Sequence, residues 1–357
     1  MAIAVLRPAG EFKTSYGSDQ TVFPTRASLG FCLLGIALLC LAPLLLGKYT
    51  LSLLIQIGYL GIAALGLNLL VGFTGQISIG HGVFFGFGAF ASAWISNRLH
   101  VPVFFAIPLA GLASMAVGLL FGVPAARLKG LYLAIASLAA QFILQDFFAR
   151  ASWFTGGVAG TPAAGFSILG YELTSDAQFF YVVLAYLVVT YLAATNFMRT
   201  RDGRALVALR DHYLSAEMMG IRLAKYRTLS FGIAAFYAGI GGALYAHYLG
   251  FVSVEGFGLL FSVQFLAMII IGGLGSILGT LLGTTFMVLL PEVMGGLASA
   301  LTGSAIDRAL SLSGGIAFLK EMAIGAAIVL FLIFEPDGLA HRWRQIRAYW
   351  KLYPFSH

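Results

Sequence analysis

Apolar runs of membrane-span length recur along most of this chain, and few folds can absorb them. They fall at residues 29–46, 51–71, 77–95, 101–123, 131–149, 179–198, 229–249, 259–271, 277–290 and 322–334. A helix crosses the ~30 Å hydrocarbon core of a bilayer with about 20 residues. Hydrophobic residues make up 60% of the 357 and charged residues only 10%, and mean hydropathy is +0.92. Soluble domains carry about 25% charged residues, so this composition cannot build a water-facing surface. The expected fold is all-α. It is a polytopic membrane protein of about ten transmembrane helices, several short or broken by glycine.

The net charge of +7 does not point to nucleic acid, because the basic residues lie in short loops, where they set orientation. With the N-terminus inside and every run crossing, most of the 21 Lys and Arg fall on the inside. That asymmetry follows the positive-inside rule and puts both termini in the cytosol. Residues 1–28 then form a polar cytosolic arm, too long for the n-region of a signal peptide, so 29–46 reads as a retained span. Residues 29–340 form the transmembrane domain, with a cytosolic loop at 199–228, and residues 341–357 a basic cytosolic tail. Two outer segments, 150–178 and 291–321, are long enough to be either connectors or docking surfaces. The second could hold a short helix lying on the membrane. Cys32 and Cys40 share one apolar run, which favours packing over a disulfide or a metal.

Glycines crowd two places. From Gly72 the chain reads GFTGQISIGHGVFFGFGAF, and from Gly272 it reads GGLGSILGTLLG. Unwound backbone at membrane depth is tolerated only where protein or a water-filled cavity satisfies it. Gly75 and Gly80 supply the conformational freedom, while Gln76, Ser78 and His81 supply hydrogen-bonding groups. These five are candidates for lining a translocation path; close helix packing is the alternative. Gly72 and Gly75 match Gly272 and Gly275 at a constant offset. This suggests an internal repeat, although the expected topology runs both segments in the same direction. Elsewhere the spans hold few ionisable groups, chiefly His81, Asp146 and His247. Ion-coupled carriers generally keep charged relays inside the membrane. Gln141, Gln145 and Asp146 could form a polar stripe or simple packing contacts.

The 199–228 loop is the long polar, basic interruption between spans. Apolar Leu206, Leu209, Tyr213, Ala216 and Met219 recur at helical spacing. Arg210, Asp211 and Ser215 fall off that face, and Gly220 is a helix stop. A short amphipathic helix there could seat in a groove of a soluble partner or lie on lipid headgroups. Acidic Asp211 and Glu217 argue for the protein partner. The chain has no G-x-x-x-x-G-K-[ST], H-E-x-x-H or G-x-S-x-G sequence, and its six histidines lack metal-ligand spacing. It is therefore read as a transport subunit, without a cofactor or metal of its own, driven by a separate engine. A secondary carrier or a passive channel for small polar solutes such as urea or amides is the alternative.

Three stretches carry a family resemblance. They are GLNLLVGFTGQISIGHGVFFGFGAF, ALRDHYLSAEMMGIRLAKYRTLSFGIAAFYAGIGGALYAHYLGFVSVEGFGLL and FLAMIIIGGLGSILGTLLGTTFMVLLPE. With FEPDGL at 334–339, they resemble the branched-chain amino acid ABC-transporter permeases, most closely the LivM-type subunits. The resemblance covers about 50 to 340. It implies a type II ABC importer permease fold in the bacterial inner membrane. It also implies a homologous second permease, two cytosolic ATPase subunits that bind ATP-Mg, and a periplasmic substrate-binding protein. Asp211 to Ile221 would match the family's coupling helix, and Arg210, Asp211, Tyr213, Ala216, Glu217, Met219 and Gly220 are the candidate coupling residues. Branched-chain or related amino acids would be imported by alternating access.

Overall fold

The structure is a computed structural model that describes residues 26–128, 130–168, 171–172, 175–301, 312–335 and 337–352. Most of the expected N-terminal arm (1–25) and the last five residues of the expected tail lie outside the described residues. Twelve helices account for most of the rest. They are α1 (Arg26–Leu45), α2 (Lys48–Thr74), α3 (His81–Arg98), α4 (Val103–Ala125), α5 (Leu131–Arg150) and α6 (Asp176–Arg199). There follow α7 (Arg201–Met218), α8 (Leu223–Leu249), α9 (Leu259–Gly272), α10 (Ile277–Leu301), α11 (Leu312–Phe334) and α12 (Leu339–Leu352). Two antiparallel two-residue pairings, Thr161–Pro162 with Phe251–Val252 and Ser167–Ile168 with Tyr171–Glu172, are the β-structure among the described residues.

Each expected apolar run is helical, and the fold is all-α and polytopic. Among the described residues six helices are long and apolar enough to cross a membrane, or seven if 324–334 and 339–346 count as one bent span. Two more, Cys32–Leu45 and α9, are apolar but shorter.

Burial sorts these helices into inner and outer. In the most apolar windows of α2 and α8, 78% of residues are buried, against 33–39% for α4, α5, α6 and α10. A helix that is apolar all round belongs in the interior of a bundle. Inside lipid, close backbone approach supplies much of the packing, and α8 supplies small residues for it. Gly239 faces Gly88 of α3, Gly241 faces Tyr59 and Ala63 of α2, and Gly242 faces the Phe85 carbonyl. The outer helices instead expose Leu120, Leu131, Ile143 and Val189, as lipid-facing or subunit-facing surfaces do.

Residues 162–164, within the long segment expected outside, are tied to the helix ends. Ala163 N donates to Gly250 O at 2.9 Å and Asn97 Nδ2 to Pro162 O at 2.7 Å. Buried His247 donates from Nδ1 to Ala164 O at 2.7 Å, with Ser92 Oγ 2.7 Å from its Nε2. The second expected outer loop, 291–321, is corrected. Helix α10 continues through Pro291 to Leu301, and α11 begins at Leu312; residues 302–311 are outside the described residues. One proline removes one ladder bond, and the Met-, Leu- and Ala-rich stretch after it favours helix. Tyr49 at the start of α2 bonds Glu292 of α10.

Candidate functional site: a polar node between two glycine breaks

Helix α2 stops because Gly75 takes the left-handed conformation (φ 69°) and turns its N–H back to the Leu70 and Val71 carbonyls. A left-handed C-cap of this kind favours glycine. Residues 75–80 are non-helical, and α3 starts at His81. Polar groups of α2, α5 and α8 meet them. Thr74 Oγ1 donates to Leu70 O, and Ser230 Oγ of α8 donates to Arg227 O at 2.7 Å. With both hydroxyl protons committed to carbonyls, Gln76 presents its NH₂ to both oxygens, at 2.8 and 2.6 Å. Ile79 N donates to Ser137 Oγ of α5 at 2.9 Å. Gly82 N donates to Ser262 Oγ of α9 at 2.8 Å, and that hydroxyl donates to Gln141 Oε1 at 2.9 Å. Gln141 Nε2 donates to Phe257 O at 2.7 Å, closing the chain.

Gln76, Ser78 and His81 are all buried. His81 donates from Nε2 to Ala63 O at 2.9 Å and meets the Phe265 ring edge-on. Gln76 Oε1 and Ser78 Oγ are buried with no hydrogen-bond partner in the protein. Buried polar atoms are ordinarily paired, so these two mark where the break is least satisfied. Gly80 packs against the Ser137 carbonyl. In this conformation Gln76, Ser78, Gly80 and His81 are buried in a packed node, and Gly75 is exposed at its edge.

The second break lies against the first. Helix α9 ends at Gly272, Gly275 is left-handed (φ 74°), and α10 begins at Ile277. Asn68 of α2 bridges the two. Its Nδ2 donates to Ser276 O at 2.9 Å and Thr280 Oγ1 at 2.6 Å, and its Oδ1 accepts from Gly275 N at 3.0 Å. Gly72 must lack a side chain here, since a Cβ would strike Asn68 and Gly275 N. Asn68 was not among the sequence-predicted residues. Its signal is an amide flanked by apolar residues within a span, and such groups are rare and usually paired.

The 199–228 segment meets this node at Arg210. The last carbonyls of a helix lack intrahelical donors and attract cations. Arg210 of α7 donates from Nη1 to one of them, Gly72 O, at 2.9 Å. Its Nε and Nη2 hold Asp211 Oδ1, both at 2.9 Å. Its aliphatic stem faces Gly75 and its guanidinium faces Gly275. Both breaks therefore converge on Arg210.

The single apolar face expected for this segment is not continuous. His212 leaves the helix (φ −157°, ψ 88°), and its Nδ1 accepts from Ser215 N at 3.3 Å. A side chain that caps the following turn competes with helix continuation, and two short helices result. Leu206 and Leu209 are buried before the break, and Ala216 after it. Tyr213 is half-buried with the Arg227 guanidinium 5.9 Å from its ring centroid. Arg227, another residue the sequence did not flag, donates to Ala126 O at the end of α4 at 3.2 Å. Asp211 is exposed beside Arg210, and Glu217, Met219 and Gly220 are exposed with Leu214 and Met218 in a tip whose larger side chains are mostly apolar. Met218 and Met219 are 88% and 85% exposed, an unusual cost unless something covers them.

Two cavities lie elsewhere. One of about 130 Å³ is lined by Trp94, Arg98, Trp153 and Phe154. A wider one of about 490 Å³ is lined by Phe142, Gln145, Asp146 and Glu255. Asp146 is exposed and paired with Arg150 at 2.9 Å. Gln141 and Gln145 therefore diverge, one buried in the node and one on the wider cavity. Among the described residues no three His, Cys, Asp or Glu side chains could share a metal.

Comparison with known proteins adds a family. The family described as "Branched-chain amino acid transport system / permease component" matches residues 49–333. The high-affinity branched-chain amino acid transport system permease protein LivM of Escherichia coli is 28% identical over 331 residues, covering 85% of this chain and 73% of that protein. LivM of Salmonella typhimurium is 28% identical over 302 residues, 78% of this chain and 67% of that one. The permease protein LivH of E. coli is 26% identical over 159 residues, 43% of this chain and 46% of that one. No solved structure matches.

Proposed function

This chain belongs to the family of branched-chain amino acid transport-system permease components, and on that premise we propose that it imports branched-chain or related amino acids as one half of a permease pair. It is a transport subunit, not an enzyme, and ATP hydrolysis belongs to separate proteins. The other half of the pair is a homologous permease. Two ATPase subunits, carrying ATP-Mg, sit on the cytosolic side, and a periplasmic binding protein delivers substrate on the other. The assembly lies in a bacterial inner membrane with both termini of this chain in the cytosol, and the shorter apolar helices bring the topology to about ten crossings.

The observation that carries this reading is the hydrogen bond from Arg210 to Gly72 O. It joins the one long cytosolic segment inside the chain to the place where α2, α9 and α10 are interrupted. The exposed tip at Leu214, Glu217, Met218, Met219 and Gly220 engages the ATPase. Asp211, Tyr213 and Ala216 hold that tip to the membrane helices, and Arg210 carries its displacement to the breaks. Packed cores switch between discrete arrangements rather than deforming continuously. Motion of α7 therefore shifts α2 against α10 and opens the packed node around Gly75, Gln76, Ser78, Gly80 and His81 as part of alternating access. Gln76 Oε1 and Ser78 Oγ, already short of partners, are the groups that open toward a passing solute.

The test is uptake of labelled leucine, isoleucine or valine into proteoliposomes holding the complete assembly, with ATP supplied on the ATPase side. Uptake against a gradient that requires hydrolysable ATP and the binding protein is the expected result. Flux through this chain alone, or uptake that follows an ion gradient without ATP, would overturn the reading.

A further inference from the structure

Beyond its first residues, the described side chains of helix α12 are exposed. It spans Leu339–Leu352, reads LAHRWRQIRAYWKL and contains no acidic residue. Only its root is held: Gly338 and Ala340 are buried at the second glycine break, and Arg342 pairs with Glu335 at 2.7 Å. Beyond that root Trp343, Arg344, Ile346, Ala348 and Tyr349 are all exposed. A 14-residue helix whose described side chains beyond the root are all exposed is marginal in water, so its helicity calls for a surface.

Its sequence and position identify that surface. Leu339, Trp343 and Ile346 recur at i, i+4 and i+7 and make one apolar stripe, with Arg344 off to one side of it. Trp343 and Ile346 are 52% and 51% exposed. The helix follows the last apolar helix, α11, after only four residues, and α11 ends with Ile333 and Phe334 exposed at 66% and 74%, as in lipid. Helix α12 therefore starts at the edge of the bilayer. Running it through the hydrocarbon would bury Arg342 and Arg344, which the membrane interior disfavours. Instead it leaves the α11 direction by 49°. An apolar stripe, basic flanks and aromatic side chains that prefer the headgroup level are the marks of a helix lying in the interface.

We propose that α12 is an interfacial anchor for anionic lipid, with Trp343 and Ile346 seated among the acyl chains and Arg344 directed at headgroup phosphates. The inference needs only the membrane position of α11, and it stands whether or not the transport reading does. Because the root of α12 rests on the second glycine break, the anchor fixes that break relative to the bilayer surface.

The experiment is site-directed spin labelling of the full chain, with Cys32 and Cys40 changed to Ser, in nanodiscs of phosphatidylcholine with or without phosphatidylglycerol. In the anionic discs a label at Ile346→Cys should collide several-fold more with oxygen than with a water-soluble nickel chelate, and one at Ala348→Cys should show the reverse. Removing phosphatidylglycerol, or adding Arg344→Glu, should move the Ile346 label toward water. The proposal is overturned if both labels are equally open to water in anionic discs. It is also overturned if the Ile346 label is shielded from both reagents, as against a protein partner. Insertion that is identical without phosphatidylglycerol removes the anionic component and overturns it as stated.

Discussion

Asn68 and Arg210 each hold backbone that would otherwise lack a partner. Asn68 uses its whole amide: two donors go to Ser276 O and Thr280 Oγ1, and its carbonyl accepts from Gly275 N. Asn68→Leu preserves size but strips all three contacts inside an apolar bundle. An unsatisfied buried polar group costs about 1–3 kcal/mol, so a lowered thermal midpoint for the detergent-purified chain is expected. A midpoint equal to wild type would show that the bridge does not hold the breaks together. The sequence alone marks Gln76, Ser78 and His81 because they cluster, but it passes over Asn68, Ser137, Ser230 and Ser262. Each of those stands alone among apolar neighbours, and its partner lies far along the chain. The match of Gly72 and Gly75 with Gly272 and Gly275 has a spatial counterpart in the two breaks meeting at Asn68. That contact does not by itself make them a repeat.

At the scale of elements, apolar run length is the strongest local signal, and it placed a helix at every expected run. Two features needed tertiary information. Helix α10 persists beyond Pro291, where the sequence suggested a loop. The cytosolic segment breaks at His212, where spacing suggested one continuous face. In the second case periodicity was a fair guide to which side chains are apolar but not to which are buried. Leu206, Leu209 and Ala216 turn inward, while Leu214, Met218 and Met219 turn out. The outward set carries a prediction. Met218→Asp with Met219→Asp places two charges in the apolar tip without touching the buried side, so the chain should still insert and pair with its partner permease. The ATPase subunits should no longer co-purify with it, and retention of the ATPases at wild-type stoichiometry would remove the tip from the interface.

For the molecule as a whole, the central pair α2 and α8 is enclosed, and the outer helices leave apolar surface for lipid and a second permease. The polar work is concentrated where α2 ends, beside α3, α5, α7, α8, α9 and α10. If the proposed coupling holds, an ATPase acting on α7 needs a mechanical path into that node, and a short one is present: the α7 backbone, the Arg210 side chain and the Gly72 carbonyl. Arg210→Gln keeps a polar side chain but loses the charge and the fork that spans Asp211 and Gly72, and hydrogen bonds to charged groups contribute about 1.5–3 kcal/mol. The exposed tip at Leu214, Met218 and Met219 is left intact by this change. The decisive measurement is therefore paired: ATP hydrolysis and amino acid uptake by the same reconstituted assembly carrying Arg210→Gln. We predict hydrolysis near the wild-type rate with uptake reduced about tenfold or more, since ~1.4 kcal/mol corresponds to a factor of ten. Uptake that stays in proportion to hydrolysis would contradict the account.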